Sequence, residues 1–388
     1  MKKVLWIGDG VAKTGFSTVN HNIISNLPKN EFDVHHLAIN YFGDYPGVDW
    51  KLYPAISGGD LWGFNRLPVF LKDEWDGIFI LNDIWVISRY LEIIKKELTT
   101  KKIPPIIVYF PVDSMHLGEE WFKDFDIVKK AVVYTNFAYD EVSKIKPFLE
   151  PVVIGHGVDF SKFYKINLTK REIKRQIFPN KEDFLDSFIF LNGNRNQPRK
   201  KINTTLEAFK MFSEGKPENV KLYCHMGVSD MGWDIIKLSK RMGIDKRLIV
   251  TNLNAGIQQV DDSKLNLIYN SCEVGLNTST GEGWGLVSHE HATTGAPQIV
   301  PEHSACKELF EDVGLLVPVG RYEVNAETLT VGGIVYPEDV ASKMELIYND
   351  RDLYETLSKK TLEKFLSKEY SWKDIVENKW IPLFREVF

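Results

Sequence analysis

Cysteine is scarce in this chain: Cys224, Cys272 and Cys306 are the only three in 388 residues, far apart and odd in number. That excludes a disulfide framework and any paired-cysteine zinc pattern, and it fits free thiols in a reducing compartment. Long apolar runs are also missing. MKK followed by VLWIG starts like a secretory signal, but the run ends at Asp9, and nowhere else does the chain approach the ~20 apolar residues of a membrane span. Excess positive charge is absent too. With 48 Lys and Arg against 53 Asp and Glu, the formal charge is -5, which argues against general nucleic-acid binding. The sequence shows no internal repeat and no low-complexity tract. At 44% apolar and 26% charged residues it reads as a packed, cytoplasmic protein, and 388 residues suffice for two domains.

What is present is organised around TSTGEGWGLVSHEHATTGAPQIV, residues 278–300. The apolar run 272–276 predicts a strand and the Ser/Thr/Gly-rich stretch 277–285 a loop. A helix follows at 286–294, stopped by Gly295-Ala296-Pro297, and another strand starts at 298–300. Strand, glycine loop, helix and strand make one parallel βαβ unit. A helix start offers unpaired N–H groups and partial positive charge, and Gly281, Gly283 and Gly285 let an anion approach the backbone. Glu282 and Glu290 lie roughly two helical turns apart. A carboxylate repels phosphate, so two of them here suit hydroxyl groups on either side of a diphosphate, as in a nucleotide sugar. Taken singly, Glu282 reads more readily as a loop acid and Glu290 as a solvated helix residue; the two together in this frame do not.

Upstream, a strand at 188–191 leads into NGNRNQPRKKINTTLEAF. Arg195 and Lys200 precede a helix whose Ile202, Leu206 and Phe209 share one face. Two cations at the mouth of a cleft suit a diphosphate, Arg by forked hydrogen bonds and Lys as a point charge; the alternative is a solvated basic turn. Arg199 is an additional charge. At the N-terminus, a strand at 4–8 opens onto DGVAKTGFS and a helix at 18–27. This loop nearly spells a Walker motif, but Phe16 takes the place of its lysine and the ATPase reading fails. What survives is a loop with Gly15 near a ligand's phosphates, or a plain tight turn.

Strands at 32–39, 77–81 and 106–110 follow, and the last empties into PVDSMH. Asp113 and His116 thus stand beyond a strand's carboxyl end, where open α/β sheets bind ligands; capping by Asp113 is the competing reading. The aromatic, glycine-rich stretch 41–65 either shapes an acceptor site or is structural. Further strands are expected at 131–134, 152–154, 220–225 and 248–251, helices at 262–270, 337–349 and 352–367, and a charge-dense linker at 165–186.

EGWGLVSHE resembles the Glu-x7-Glu signature of the retaining glycosyltransferases of family four (glycosyl transferases group 1), usually E-G-F-G-L-x-x-x-E, with Trp284 at the commoner Phe. Arg195 and Lys200 match the family's G-R-x4-K-G loop, with Lys201 at the last Gly. GHGVDFSKF is similar to its N-G-V-D-x-x-x-F turn, with His156 for Asn, and Glu302-His303-Ser304 stands where many relatives have a glycine pair. The resemblance implies the α/β GT-B architecture: two doubly wound Rossmann-like domains facing a central cleft. Residues 1–165 would form the acceptor domain, with 371–388 crossing back onto it, and 166–370 the donor domain.

The implied activity is transfer of a hexose, with retention, from a UDP- or GDP-sugar such as UDP-glucose or GDP-mannose to a hydroxyl of a glycan, lipid or other acceptor. In that scheme Glu282 fixes the donor sugar, and Asp113 or His116 is the catalytic-side residue of the first domain. Arg195 and Lys200 hold the diphosphate with Gly15 nearby, the amides of Gly283, Trp284, Gly285 and Leu286 meet sugar and diphosphate, and Glu290 binds the ribose. Residues 253–257 would lie against the base. No cofactor and no metal are expected, because the cations do the metal's electrostatic work. Asp124-Phe125-Asp126 has the D-x-D form of a metal site but sits in an amphipathic stretch and reads as surface. His289 and His291 point to different helix faces and cannot share an ion. Three alternatives remain: a nucleotide-sugar epimerase of the same fold, a DNA-base glucosyltransferase, and a non-catalytic sugar-nucleotide-binding subunit.

Overall fold

Strands buried on both faces must be apolar along their whole length, and this chain places such runs at regular intervals. The computed structural model describes all residues except 13, 44–46 and 257–259, and the chain divides into two units. The first comprises Met1–Gly157, Glu327–Thr330 and Lys368–Phe388; the second comprises Val158–Ala326 and Val331–Ser367.

The first unit is built on a parallel sheet of β1 (Lys2–Asp9), β2 (Phe32–Ile39), β3 (Lys51–Pro54), β4 (Gly77–Leu81), β5 (Ile106–Phe110), β6 (Lys130–Val133) and β7 (Val152–Val153). Their order is β3-β2-β1-β4-β5-β6-β7. Helices α1 (Gly15–Ser25), α2 (Leu67–Phe70), α3 (Ile84–Glu97) and α4 (Asn136–Ile145) lie between them in sequence. Leu5, Ile7, Ile78, Ile80, Val108 and Phe110 sit fully buried in its core. The half-exposed edge strand β3 carries no continuous apolar run, and the sequence reading did not include it.

In the second unit the order is β10-β9-β8-β11-β12-β13, again parallel, for β8 (Phe188–Asn192), β9 (Val220–Cys224), β10 (Leu248–Val250), β11 (Val274–Leu276), β12 (Gln298–Pro301) and β13 (Leu315–Val317). An antiparallel hairpin, β14 (Arg321–Val324) with β15 (Val331–Ile334), is a second element that was not anticipated. The helices of this unit are α5 (Lys170–Ile177), α6 (Ile202–Ser213), α7 (Ile235–Met242), α8 (Asp262–Ser271), α9 (Leu286–Ala292), α10 (Ser304–Phe310), α11 (Pro337–Asn349) and α12 (Arg351–Phe365).

The C-terminal segment belongs to the first unit. It runs through α13 (Trp372–Ile375), a π-helical turn at Val376–Trp380, and α14 (Ile381–Val387). Trp380 packs 4.8 Å from Tyr109 and 5.5 Å from Phe79, ring centre to ring centre, and Phe384 lies 6.0 Å from Trp6. Arg385 grips Glu31 at 2.6 Å. Among the described residues no helix is long and apolar enough to cross a membrane.

The stretch expected to be a linker, 165–186, contains a helix of the second unit instead. Thr169 and Glu172 form a reciprocal capping box at the start of α5. Lys170 donates to the carbonyls of Asn270 and Cys272, both at 2.7 Å, and so covers the end of α8. Lys174 is buried; it donates to the Ser187 carbonyl and, at 2.7 Å, to Glu273 Oε1, whose second oxygen accepts from the Ile189 amide at 2.7 Å. The cationic helix is thereby tied to β8. Removing one member of such a pair strands the other charge. Lys174→Met should lower stability by about 3–5 kcal/mol in urea unfolding, with Glu273→Gln restoring part of the loss in the double variant. A loss under about 1 kcal/mol would mean the pair is not what holds α5.

Candidate functional site

A doubly wound sheet binds ligands beyond its carboxyl edge, at the point where the chain switches direction across the sheet. In the second unit that point lies between β8 and β11, because β9 and β10 extend to one side and β12 and β13 to the other. The loop after β8 carries Arg195, Arg199 and Lys200; the loop after β11 carries Glu282 and the glycines.

The two loops are stitched together. Thr278 Oγ1 lies 3.0 Å from the carbonyls of Lys200 and Lys201 and 2.8 Å from Thr205 Oγ1. The Thr280 amide donates to the Arg199 carbonyl at 2.8 Å, and Arg199 Nη1 returns a bond to the Gly281 carbonyl at 3.1 Å. Within this frame Lys200 Nζ donates to Glu282 Oε1 at 2.5 Å. Asn277 and Ser279 donate to the same oxygen at 3.0 Å each, and Arg199 stands 3.9 Å from Oε2. The Glu282 amide is held by Ser304 Oγ at 2.9 Å. Burial pushes the Glu282 carboxyl up, but the charges of Lys200 and Arg199 and the hydrogen bonds outweigh it, leaving it at about 2.

Gly285 caps α9 with φ +88°, a left-handed backbone that glycine adopts without strain. The half-buried Gly283 and Leu286 flank it, whereas Trp284 is buried and donates its indole N–H to His289 Nδ1 at 2.8 Å. Burial brings both His289 and His291 down to about 3, so they are neutral. Among the described residues no group of three His, Cys, Asp or Glu is arranged to hold a metal ion.

Glu290 stands apart from the Glu282 cluster, its Oε2 accepting from the Tyr269 hydroxyl of α8 at 2.9 Å. Burial raises its carboxyl to about 7, opposed only in part by the Tyr269 bond. Neither glutamate is the solvated residue that the simplest reading of its type allows. Arg195 does not share a partner with Lys200; its Nε and Nη2 grip Asp230, in the loop after β9, at 2.6 and 3.3 Å. Residues 253–256 form an exposed loop, and residue 257, also assigned to the base, lies outside the described residues, as do 44–46 of the 41–65 stretch.

In the first unit the switch point lies between β1 and β4. Gly15 is there, exposed at the start of α1, whose first turn is capped by Thr14 while Ser17 and His21 bond the Gly10 carbonyl at 2.6 Å. Asp113 and His116 follow β5, one strand further on. Asp113 accepts from Ser114 Oγ at 2.8 Å and is the N-cap of no helix among the described residues; the next helical turn starts after Gly118. His116 is exposed at φ +58°, with its amide on Glu141 at 3.1 Å. Asp124 and Asp126 both pair with Lys95; Asp126 is exposed, but Asp124 is buried and is not the surface residue expected. Sequence reasoning missed Asn277 and Ser279, which sit in the Glu282 loop itself, and Ser304, Tyr269 and Asp230, which only tertiary contact brings to the motif residues.

No protein-family model matches the chain, and no curated protein sequence matches it. Solved structures do. Anabaena HepE in complex with UDP-glucose is similar with TM-score 0.74 and 14% identity, over 99% of this chain and 100% of that one. Sucrose-phosphate synthase from Thermosynechococcus elongatus is similar with TM-score 0.71 and 17% identity, over 100% and 99%. A glycosyltransferase from Rickettsia africae is similar with TM-score 0.74 and 13% identity, over 100% and 98%. The fold is GT-B. At such identities the likeness speaks for the fold, and the chemistry must come from the side chains.

The opposite shifts of the two glutamates have opposite consequences for stability. Glu282, depressed to about 2, contributes stability above its ordinary 4.5 that is lost as pH falls toward 2. Glu290, raised to about 7, favours the folded state while protonated and costs stability as pH rises from 4.5 through 7, on the order of 3 kcal/mol in full. Glu290→Gln should therefore melt higher than the parent at pH 8 and equally at pH 4.5. A difference independent of pH would refute the assignment.

Proposed function

We propose that the protein is a retaining glycosyltransferase, moving a hexose from a UDP- or GDP-sugar to a hydroxyl of a glycan, lipid or other acceptor. The observation that carries this reading is the buried Lys200–Glu282 pair at the switch point of the second sheet. A leaving diphosphate needs positive charge, and Lys200, Arg199 and Arg195 supply it in the loop after β8. A donor hexose needs a carboxylate for its hydroxyls. Glu282 Oε1 is occupied by three donors, so Oε2 is the atom that faces the sugar. Because Glu282 stays ionised to about pH 2, it is an acceptor at any working pH.

Glu290 accepts from the ribose, and the amides of Gly283 to Leu286 reach sugar and diphosphate. Departure and attack take place on the same face: the diphosphate oxygen that leaves takes the proton from the acceptor hydroxyl. No strong enzymic base, cofactor or metal is then required, since preorganised cations stabilise the developing charge. For the first unit, the family-four resemblance assigns Gly15 to the phosphates and Asp113 and His116 to the acceptor side. Family-four resemblance in the Glu282–Glu290 spacing supports this reading, as does a GT-B neighbour bound to UDP-glucose.

Thermal melts with UDP, GDP, UDP-glucose and GDP-mannose test the donor site, because a ligand at 100 times its Kd adds ~2.7 kcal/mol of stability. One nucleotide family should raise Tm, and Arg195→Ala should abolish the rise. Glu282→Gln should cut kcat on the order of 100-fold or more, measured as nucleotide release, as removal of a preorganised polar contact does. NMR of the product should show the donor's anomeric configuration. No stabilisation by any of the four ligands, or an inverted product, would overturn the proposal.

A further inference from the structure

We propose that Asp230 is a positioning residue for the diphosphate contact of Arg195, and that Asn196 holds Asp230 in place; this rests on the donor site described above. Asp230 meets Arg195 side-on, Oδ2 accepting from Nε at 2.6 Å and Oδ1 from Nη2 at 3.3 Å. The Asp230 side chain is 9% exposed and that of Arg195 40%. The carboxylate thus occupies the inner edge of the guanidinium. Of the five N–H donors, both on Nη1 and one on Nη2 are not engaged by Asp230. A forked cation with one edge anchored presents the other edge in a fixed plane, which suits a bidentate phosphate contact.

The anchor is itself anchored. Asn196, next in sequence to Arg195, is fully buried and clamps the Asp230 loop at its base. Its Nδ2 donates to the carbonyls of Gly227 and Trp233 at 3.0 and 2.7 Å, and its Oδ1 accepts from the Trp233 amide at 3.0 Å. The fit depends on Gly232, where an added Cβ would fall 2.1 Å from Asn196 Oδ1. The Val228 amide adds a bond to the Asn254 carbonyl at 3.0 Å. Two adjacent residues therefore hold one loop, Arg195 at its tip and Asn196 at its base, and the conformation of Arg195 is fixed before any ligand arrives. The rotamer freedom that an unanchored arginine loses on binding is already lost.

The competing arrangement is a latch, in which the diphosphate displaces Asp230 from Arg195. The two predict opposite signs. Calorimetric titration of UDP and GDP, with uridine and guanosine as probes lacking phosphate, separates them in the parent, Arg195→Ala, Asp230→Ala and the double variant. Positioning predicts that Asp230→Ala weakens the nucleoside diphosphate on the order of three- to tenfold, leaves the nucleoside unchanged, and adds nothing in the Arg195→Ala background. Asp230→Glu should recover part of the loss. Unchanged or tighter diphosphate binding in Asp230→Ala would overturn the inference, as would equal weakening of the nucleoside, which marks a merely structural role. Diphosphate binding that is insensitive to Arg195→Ala, or absent in the parent, would instead defeat the donor-site reading itself.

Discussion

The second unit turns on one buried ion pair. Lys200 and Glu282 are 8% and 6% exposed in their side chains, so both charges have been taken out of water. Desolvation of each ion costs several kcal/mol, and a buried salt bridge is for that reason weak support for stability alone. What it supplies is register. The loop after β8 and the loop after β11 have no common secondary structure, yet the pair, the Thr278 hydroxyl and the Arg199 bonds fasten them into one object. A cation and a carboxylate then stand at fixed positions on either side of a topological switch point, a distribution suited to a substrate with a charged part and a hydroxyl-rich part.

Much of this architecture is legible in the sequence, and what is legible shares one physical feature. Strands β4 and β5 are read at their observed bounds because a parallel strand covered on both faces is apolar throughout, and β2, which carries Asp33, His35 and His36, is read at its observed bounds from its remaining apolar residues. Two of the strands that escape have water on one side. β3 is half-exposed and the strand Arg321–Val324 largely exposed, and their sequences carry no run to betray them. α5 escapes for a different reason. Its KREIKRQI sequence is almost wholly polar, yet the stems of Lys170 and Lys174 do the covering that leucines do elsewhere. One signal was available there: Thr169 with Glu172 is the T-x-x-E pattern of a capping box.

For the site, the motif names residues but not their states. Glu282 and Glu290 look equivalent in the signature, two acids flanking a glycine turn. In the fold, two cations hold one at about 2, whereas burial, with the Tyr269 bond and the Lys162 charge opposing it only in part and Asp262 adding to it, leaves the other at about 7. Spacing cannot carry that difference, because Lys200 and Tyr269 come from distant parts of the chain. Likewise Arg195 and Lys200 look like a pair of cations and are instead two separate ion pairs, with Asp230 and Glu282.

Two non-glycine residues with left-handed backbones give the clearest link from backbone to site. Lys201 has φ +46° and Ser304 φ +48°, both in the left-handed region that favours glycine. A non-glycine residue bears a strain on the order of 1 kcal/mol or more for it. Each side chain returns something that glycine cannot. Lys201 Nζ pairs with Glu323 at 2.9 Å, joining the hairpin to the start of α6, and Ser304 Oγ accepts the Glu282 amide at 2.9 Å, fixing the residue on which the proposed sugar contact depends. A strained backbone at each of these positions thus becomes a tether, and at Ser304 the tether runs directly to the site.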